Sequence, residues 1–189
     1  MWADPKPARS SDLIALTADP KEWADSVKLA YQADARHAAS PFAGTKILSW
    51  SMNLTWLESA QQRGFDEVIL LNERGEVAEC TSANIFAACG NQVWTPPLSS
   101  GCLPGITREV VLCEIHVPGI EVMEKPLTPA DLEAADEVFI TSTTRDLLCV
   151  TEIEGRKIRC TQRTRVPLQE AFSAYFHRYV EEHRAAAAR

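Results

Sequence analysis

The clearest pattern of apolar and polar positions lies near the middle of the chain. Val68, Ile69, Leu70 and Leu71 form an uninterrupted apolar run, which predicts a buried strand. Residues 72–75 predict a turn at Gly75, and residues 75–86 (Gly-Glu-Val-Ala-Glu-Cys-Thr-Ser-Ala-Asn-Ile-Phe) predict the returning strand of a hairpin. A second hairpin follows: Ala87, Ala88 and Cys89 turn at Gly90-Asn91 into Val93, Trp94 and Thr95, and Pro96-Pro97 end it. Residues 99–105 predict a loop, and Ile106 opens a helix running to about Ile115. Residues 120–123 predict a strand, and Thr128-Pro129 a short helix with proline in its first turn. Two more strands are predicted at 138–140, ending in Thr141-Ser142-Thr143-Thr144, and at 147–153. A last amphipathic helix is predicted over 167–184, with Leu168, Ala171, Phe172, Tyr175 and Phe176 on its apolar side.

The first third is less regular. Residues 1–11 read as a polar, proline-bearing lead-in, and residues 12–17 as a short candidate strand. Residues 23–39 carry weak helical periodicity without a convincing cap. Residues 42–46 lead into an amphipathic helix with Trp50, Leu54, Trp56, Leu57 and Ala60 on one face, ending near Arg63 with Gly64 as its C′ residue.

Composition narrows the picture. The chain has 189 residues, enough for one ordinary domain, and its 46% hydrophobic and 24% charged content is that of a globular protein. A net charge of −7 argues against a broad nucleic-acid footprint. No apolar run approaches the ~20 residues of a membrane span, and no apolar leader follows Met1. Six scattered cysteines without a C-x-x-C pair read as reduced thiols, which implies a cytoplasmic protein and neither a disulfide framework nor a zinc site.

Four groups are chemically suggestive. Glu79 is expected on the inner side of a strand, where a lone carboxylate is costly, so it needs a cationic partner, for which a bound ligand is one candidate. Lys46 follows a glycine ahead of a helix; on its own it reads as an ordinary exposed lysine. Gly105-Ile106-Thr107 at a helix start suits an anion, since free N–H groups and the helix dipole converge there, although Thr107 can equally cap its helix. The hydroxyls at 141–144 can donate to an anion or satisfy their own backbone.

Taken together and in order, the Lys46 segment, the 75–86 stretch, Leu103-Pro104-Gly105-Ile106-Thr107-Arg108 and Phe139-Ile140-Thr141-Ser142-Thr143 resemble the class IV aminotransferase family. These are the fold-type IV pyridoxal-phosphate enzymes, which include branched-chain and D-amino-acid aminotransferases and 4-amino-4-deoxychorismate lyase. The resemblance runs from about Ala43 to the C-terminus. It implies an α+β fold, a curved, mostly antiparallel sheet or pseudo-barrel with surrounding helices. The antiparallel pairing also follows from the successive hairpins.

The resemblance implies a role for each matched residue. Lys46 matches the lysine that forms the Schiff base with pyridoxal 5'-phosphate, and Glu79 the carboxylate that pairs with the pyridinium nitrogen. Ile106 and Thr107 match the loop-to-helix phosphate seat, and Thr143 a further phosphate ligand. Ser82 matches a small polar position beside the cofactor, and Thr144 a position facing the substrate carboxylate. The implied activity is transamination of a small amino acid/2-oxo acid pair in a homodimer. A lyase of the aminodeoxychorismate type is the alternative, and a non-catalytic cofactor-binding or interaction domain a third.

Two features depart from the family pattern. Trp50 stands where relatives commonly have Arg or Tyr. Relatives also carry a whole lobe ahead of the lysine-bearing domain, which supplies an arginine to the phosphate. Here residues 1–41 read as a remnant of that lobe and its linker, residues 42–189 as the cofactor-binding domain, and neither Arg9 nor Arg36 is placed to be that arginine.

Overall fold

The computed structural model describes residues 13–19 and 22–187. Its strands are β1 (Ser26–Arg36), β2 (Glu67–Asn72), β3 (Val77–Cys80), β4 (Asn84–Cys89), β5 (Gln92–Thr95), β6 (Glu121–Glu124), β7 (Glu137–Ser142), β8 (Asp146–Ile153) and β9 (Arg156–Lys157). Its helices are α1 (Ser51–Gln62), α2 (Ile106–Glu109), α3 (Pro129–Ala134) and α4 (Arg165–Ala187). The strands form one sheet in the order β3-β2-β1-β8-β7-β4-β5-β6, with β9 paired to β8. Adjacent pairs are antiparallel except β1/β2, β1/β8 and β5/β6, which are parallel. The fold is α+β, as the motifs imply.

The sheet is buried on both faces, and side-chain alternation sorts its residues. Leu29, Ile69, Ile85, Val138 and Ile140 enter the largest core cluster, with Leu132 of α3. Their neighbours Phe86, Ala88 and Phe139 face the other way, against Val111 and Leu168 of α4. Phe86 and Phe139 stack with centroids 5.1 Å apart and planes 4° apart. Ala30, Val68 and Leu70 pack with Ala60 of α1. A strand covered on both faces must be continuously apolar, which is why 68–71 stand out.

Several elements differ from expectation. Residues 23–39 contain no helix: β1 occupies 26–36 and lies between β2 and β8. Its alternation of Val27, Leu29 and Tyr31 with Lys28, Ala30 and Gln32 is a strand pattern, blurred because Ala30 is also buried. A boundary at residue 41 therefore falls after a strand that is integral to the sheet. Residues 13–17 form no strand, and Leu13, Ile14 and Leu16 are exposed. Asp12, the lead-in at 1–11 and Arg9 lie outside the described residues.

The 75–86 stretch is two strands, not one. β3 pairs with β2, whereas β4 pairs with β5 and β7. The chain leaves the first ladder at Thr81 because the buried Glu67 carboxylate takes the Thr81 N–H, the Thr81 hydroxyl and the Ser82 hydroxyl (2.7 Å). α1 begins at Ser51 and ends as expected before Gly64, whose φ is +87°. Leu54 and Trp50, expected on its apolar face, are exposed; α1 buries Ala60, as expected, and Asn53, which was not. Beyond α2 the helix widens into a π-turn over Val110–Glu114. Thr128 and Asp131 cap α3 reciprocally, with Pro129 in its first turn.

Candidate functional site

Glu79 points from β3 into a polar junction of three segments. Its Oε1 accepts from Nε of Arg36 at 2.9 Å, and its Oε2 from the Leu103 N–H at 2.9 Å. Arg36, at the end of β1, also donates to Oδ1 of Asn53 at 3.2 Å, and Nδ2 of Asn53 donates to the Thr81 carbonyl at 2.8 Å. The start of α1 is thereby tied to the end of β1 and the link after β3. One cation beside Glu79 is thus supplied by the chain itself. The guanidinium of Arg36 serves a carboxylate here.

Burial pushes the Glu79 carboxyl above its ordinary value, and Arg36, the Leu103 N–H and Lys46 offset this only in part. Lys46 is exposed in the loop between β1 and α1, within electrostatic reach of Glu79. Gly44 fixes where that loop passes. Its φ is +72°, and a Cβ there would lie 3.5 Å from the Cys102 carbonyl oxygen, so the loop runs against the 102–104 segment.

The Leu103 peptide is clamped from both sides. Its N–H goes to Glu79, and its carbonyl accepts from Nδ2 of Asn84 at 2.9 Å. Gly105 follows, and a Cβ there would fall 2.0 Å from Oδ1 of Asn84, so a larger residue would have to displace the Asn84 side chain that clamps the Leu103 carbonyl. Helix α2 starts immediately afterwards, with Thr107 buried and Ile106 exposed. Asn84 pairs across the sheet with Thr141, which places the start of α2 near the end of β7.

The turn between β7 and β8 holds Thr143 and Thr144, both exposed. Arg145 locks this turn. It donates to the buried Glu67 carboxylate at 3.0 Å, to the Ser82 carbonyl at 2.8 Å and to the Ser82 hydroxyl at 2.9 Å. Its guanidinium lies 3.9 Å from the Trp23 ring centre, and Trp23 Nε1 donates to the Thr144 hydroxyl at 3.4 Å. Ser82, Thr144 and Arg145 therefore form one unit, and the Ser82 hydroxyl is already committed to Glu67 and Arg145. Trp50 is exposed just ahead of α1.

The candidate residues thus fall into three neighbouring groups: Lys46 with Glu79, Ile106 with Thr107, and Ser82 with Thr143 and Thr144. Arg36, Asn53, Glu67, Asn84, Leu103 and Arg145 organise them and were not anticipated. The one available signal was the alternation at 27–31, which as a strand would have carried Arg36 into the sheet. Two open clefts, of about 470 and 460 Å³, lie elsewhere, one at β5–β6 and the other beside Cys149 and Cys160.

A family model for class IV amino-transferases matches residues 3–153. The chain belongs to the class IV aminotransferases. It is 46% identical over 103 residues to a Methanocaldococcus jannaschii protein assigned as a branched-chain-amino-acid aminotransferase, covering 54% of this chain and 36% of that one. It is 33% identical over 154 residues to the D-alanine aminotransferase of Bacillus licheniformis, covering 82% and 48% respectively. Among solved structures it resembles a Legionella pneumophila protein assigned as a 4-amino-4-deoxychorismate lyase, with a TM-score of 0.70 and 26% identity over 76% of this chain and 53% of that one. The chain spans about half the length, or less, of the relatives it matches.

Class IV aminotransferases depend on pyridoxal phosphate. The residues present are of the kind such a group requires. Each Glu79 oxygen takes one donor and keeps a free lone pair, so the carboxylate can accept a further N–H. Lys46 is exposed, and the helix that starts after Gly105 has no side-chain cap on its first N–H groups.

Proposed function

We propose that this chain is the lysine-bearing part of a pyridoxal-phosphate-dependent aminotransferase acting on an amino acid/2-oxo acid pair. The observation that carries the reading is Glu79. It is a buried carboxylate, insufficiently compensated by its own partners, that faces the open Lys46 loop. A protonated ring nitrogen is the cation that completes it. Lys46 would hold the cofactor's aldehyde end and, as a free amine, would serve as the base and acid that moves the α-proton of an amino substrate. Ile106 and Thr107 offer backbone and hydroxyl donors to the phosphate, with Thr143 as a further donor, and Thr144 faces the substrate carboxylate. Ser82 acts beside the cofactor through Arg145, by holding the 143–145 turn. The cofactor, when bound, supplies the electron sink for the deprotonated substrate.

Residues 1–41 read as lobe and linker and residues 42–189 as the cofactor-binding domain, with β1 of the first stretch paired inside the sheet of the second. We also infer a cytoplasmic homodimer; among the described residues no helix is long and apolar enough to cross a membrane. The lyase reading stands second, favoured by the likeness to the Legionella structure. The two share α-proton removal and part afterwards: turnover without a 2-oxo acid acceptor marks the lyase.

The test is chemical. The chain is incubated with pyridoxal phosphate, reduced with borohydride and mapped by mass spectrometry. A stoichiometric phosphopyridoxyl group on Lys46, lost in Lys46→Ala, is the expected result. Scattered labelling of surface lysines, or none, refutes a working site in this chain and leaves the non-catalytic reading.

A further inference from the structure

Cysteines that look scattered in sequence are not all scattered in space. Cys149 lies in β8, and Cys160 in the segment between β9 and α4, with their Sγ atoms 2.6 Å apart. A disulfide bond is ~2.05 Å long, so about 0.5 Å of further approach would form one. The placement is built from both sides. Ahead of Cys160, β9 folds back on β8 through the Glu152–Lys157 and Ile153–Arg156 pairs. Behind it, the Glu137 carboxylate accepts from the Thr161 hydroxyl at 2.6 Å, from the Thr164 N–H at 2.9 Å and from the Arg165 N–H at 3.0 Å. Cys149 is buried. Cys160 is half-buried, and both sulfur-bearing residues line one open cleft with Ser26, Thr151, Gln162 and Arg165, Cys160 being the more exposed of the two.

We propose that Cys149 and Cys160 are a redox-responsive dithiol that reacts with a small-molecule disulfide and closes into an intramolecular bond stapling β8 to the lead-in of α4. The Cys160 thiolate, reached through the cleft, attacks one sulfur of the oxidant. The S–S bond breaks, and one half leaves as a thiol. The Cys149 sulfur then attacks Cys160, gives up its proton and expels the second half as a thiol. Two protein thiols lose two electrons and two protons, and the oxidant gains both. The division of labour fits the surroundings: burial, then the adjoining Cys160 sulfur, push the Cys149 thiol up to about 12, so the first attack falls to Cys160. Under reducing conditions the pair rests as two thiols.

The test exposes the full chain to oxidised glutathione, blocks remaining thiols by alkylation and maps a non-reduced digest. The expected product is a Cys149–Cys160 cross-linked peptide in near-stoichiometric yield, reversed by dithiothreitol, while the exposed Cys89 and Cys113 carry at most glutathione. Oxidation is expected to raise Tm in the wild type and not in Cys160→Ser. In Cys149→Ser, Cys160 is expected to stop at a glutathione adduct; in Cys160→Ser, Cys149 stays alkylatable. Free Cys149 and Cys160 beside reacted Cys89 and Cys113 overturn the proposal. So does a stable Cys160 adduct in the wild type, a Cys149 adduct in Cys160→Ser, or a cross-link without the wild-type rise in Tm.

Discussion

Glu79 is a carboxylate whose surroundings resist its charge. Burial outweighs the help of Arg36, the Leu103 N–H and Lys46, so the folded carboxyl holds its proton more tightly than the unfolded one, whose value is near 4.5. Between that value and the raised folded one, the native state binds more protons, and stability falls as pH rises through the window. Denaturant titrations from pH 4 upward are expected to show this fall in the wild type and its loss in Glu79→Gln. An unchanged slope in the variant would place the proton on another group. The same variant should retain pyridoxal phosphate better than it retains turnover, because glutamine still accepts a hydrogen bond but cannot stabilise a ring cation. Thr107 and Thr143 test the phosphate seat. Replacing both with alanine is expected to weaken cofactor binding by ~1–3 kcal/mol, read from a fluorescence titration; unaltered affinity would reduce them to capping and packing residues. The residue types at this site were legible in sequence because they recur at fixed spacing. Arg36 against Glu79, and Asn84 against Gly105, were not, since each contact joins positions that come together only once the sheet has formed.

At the scale of elements, Glu137 shows how one side chain at the start of β7 organises a distant helix. It receives the Thr164 and Arg165 N–H groups at the entry to α4 and the hydroxyl of Thr161. Burial raises its proton affinity, but these hydrogen bonds together outweigh burial and hold the carboxyl below its usual value. The sign is opposite to that of Glu79. The stabilisation is fully present above about pH 4.5 and disappears as pH falls through the lowered folded value. Glu137→Gln is expected to cost ~1 kcal/mol at pH 7, in the range of lost helix caps, with the gap to wild type closing in acid; a gap independent of pH would exclude ionisation as the cause. Elements that pair with a sequence neighbour were readable. The β2–β3 and β4–β5 hairpins and the α3 cap carry their turn and cap residues with them. β1 was not readable, because its partners are parallel strands and no local turn announces them. The break at Thr81 was hidden for a related reason, since Glu67 makes it from another strand.

At the scale of the molecule, the Lys46 side is conspicuously apolar. Phe42, Ile47, Leu48, Trp50, Met52 and Leu54 are all substantially exposed, with Leu48 fully so. A surface of this kind marks an interface, and the inferred homodimer or the first lobe of the relatives is its natural cover. Sedimentation velocity is expected to show concentration-dependent association of the chain, weakened when Leu48 and Met52 are both replaced with aspartate. Indifference to those substitutions would move the interface elsewhere. The position of β1 carries a consequence of another kind. Ser26 pairs with Cys149, so one edge of an early strand is completed by a partner 123 residues later. At ~5–20 residues per second, a ribosome takes about 6–25 s to deliver β8 after β1 has been made. Throughout that interval the nascent chain presents a half-finished sheet. Its synthesis therefore calls for protection from neighbouring chains until the second half emerges.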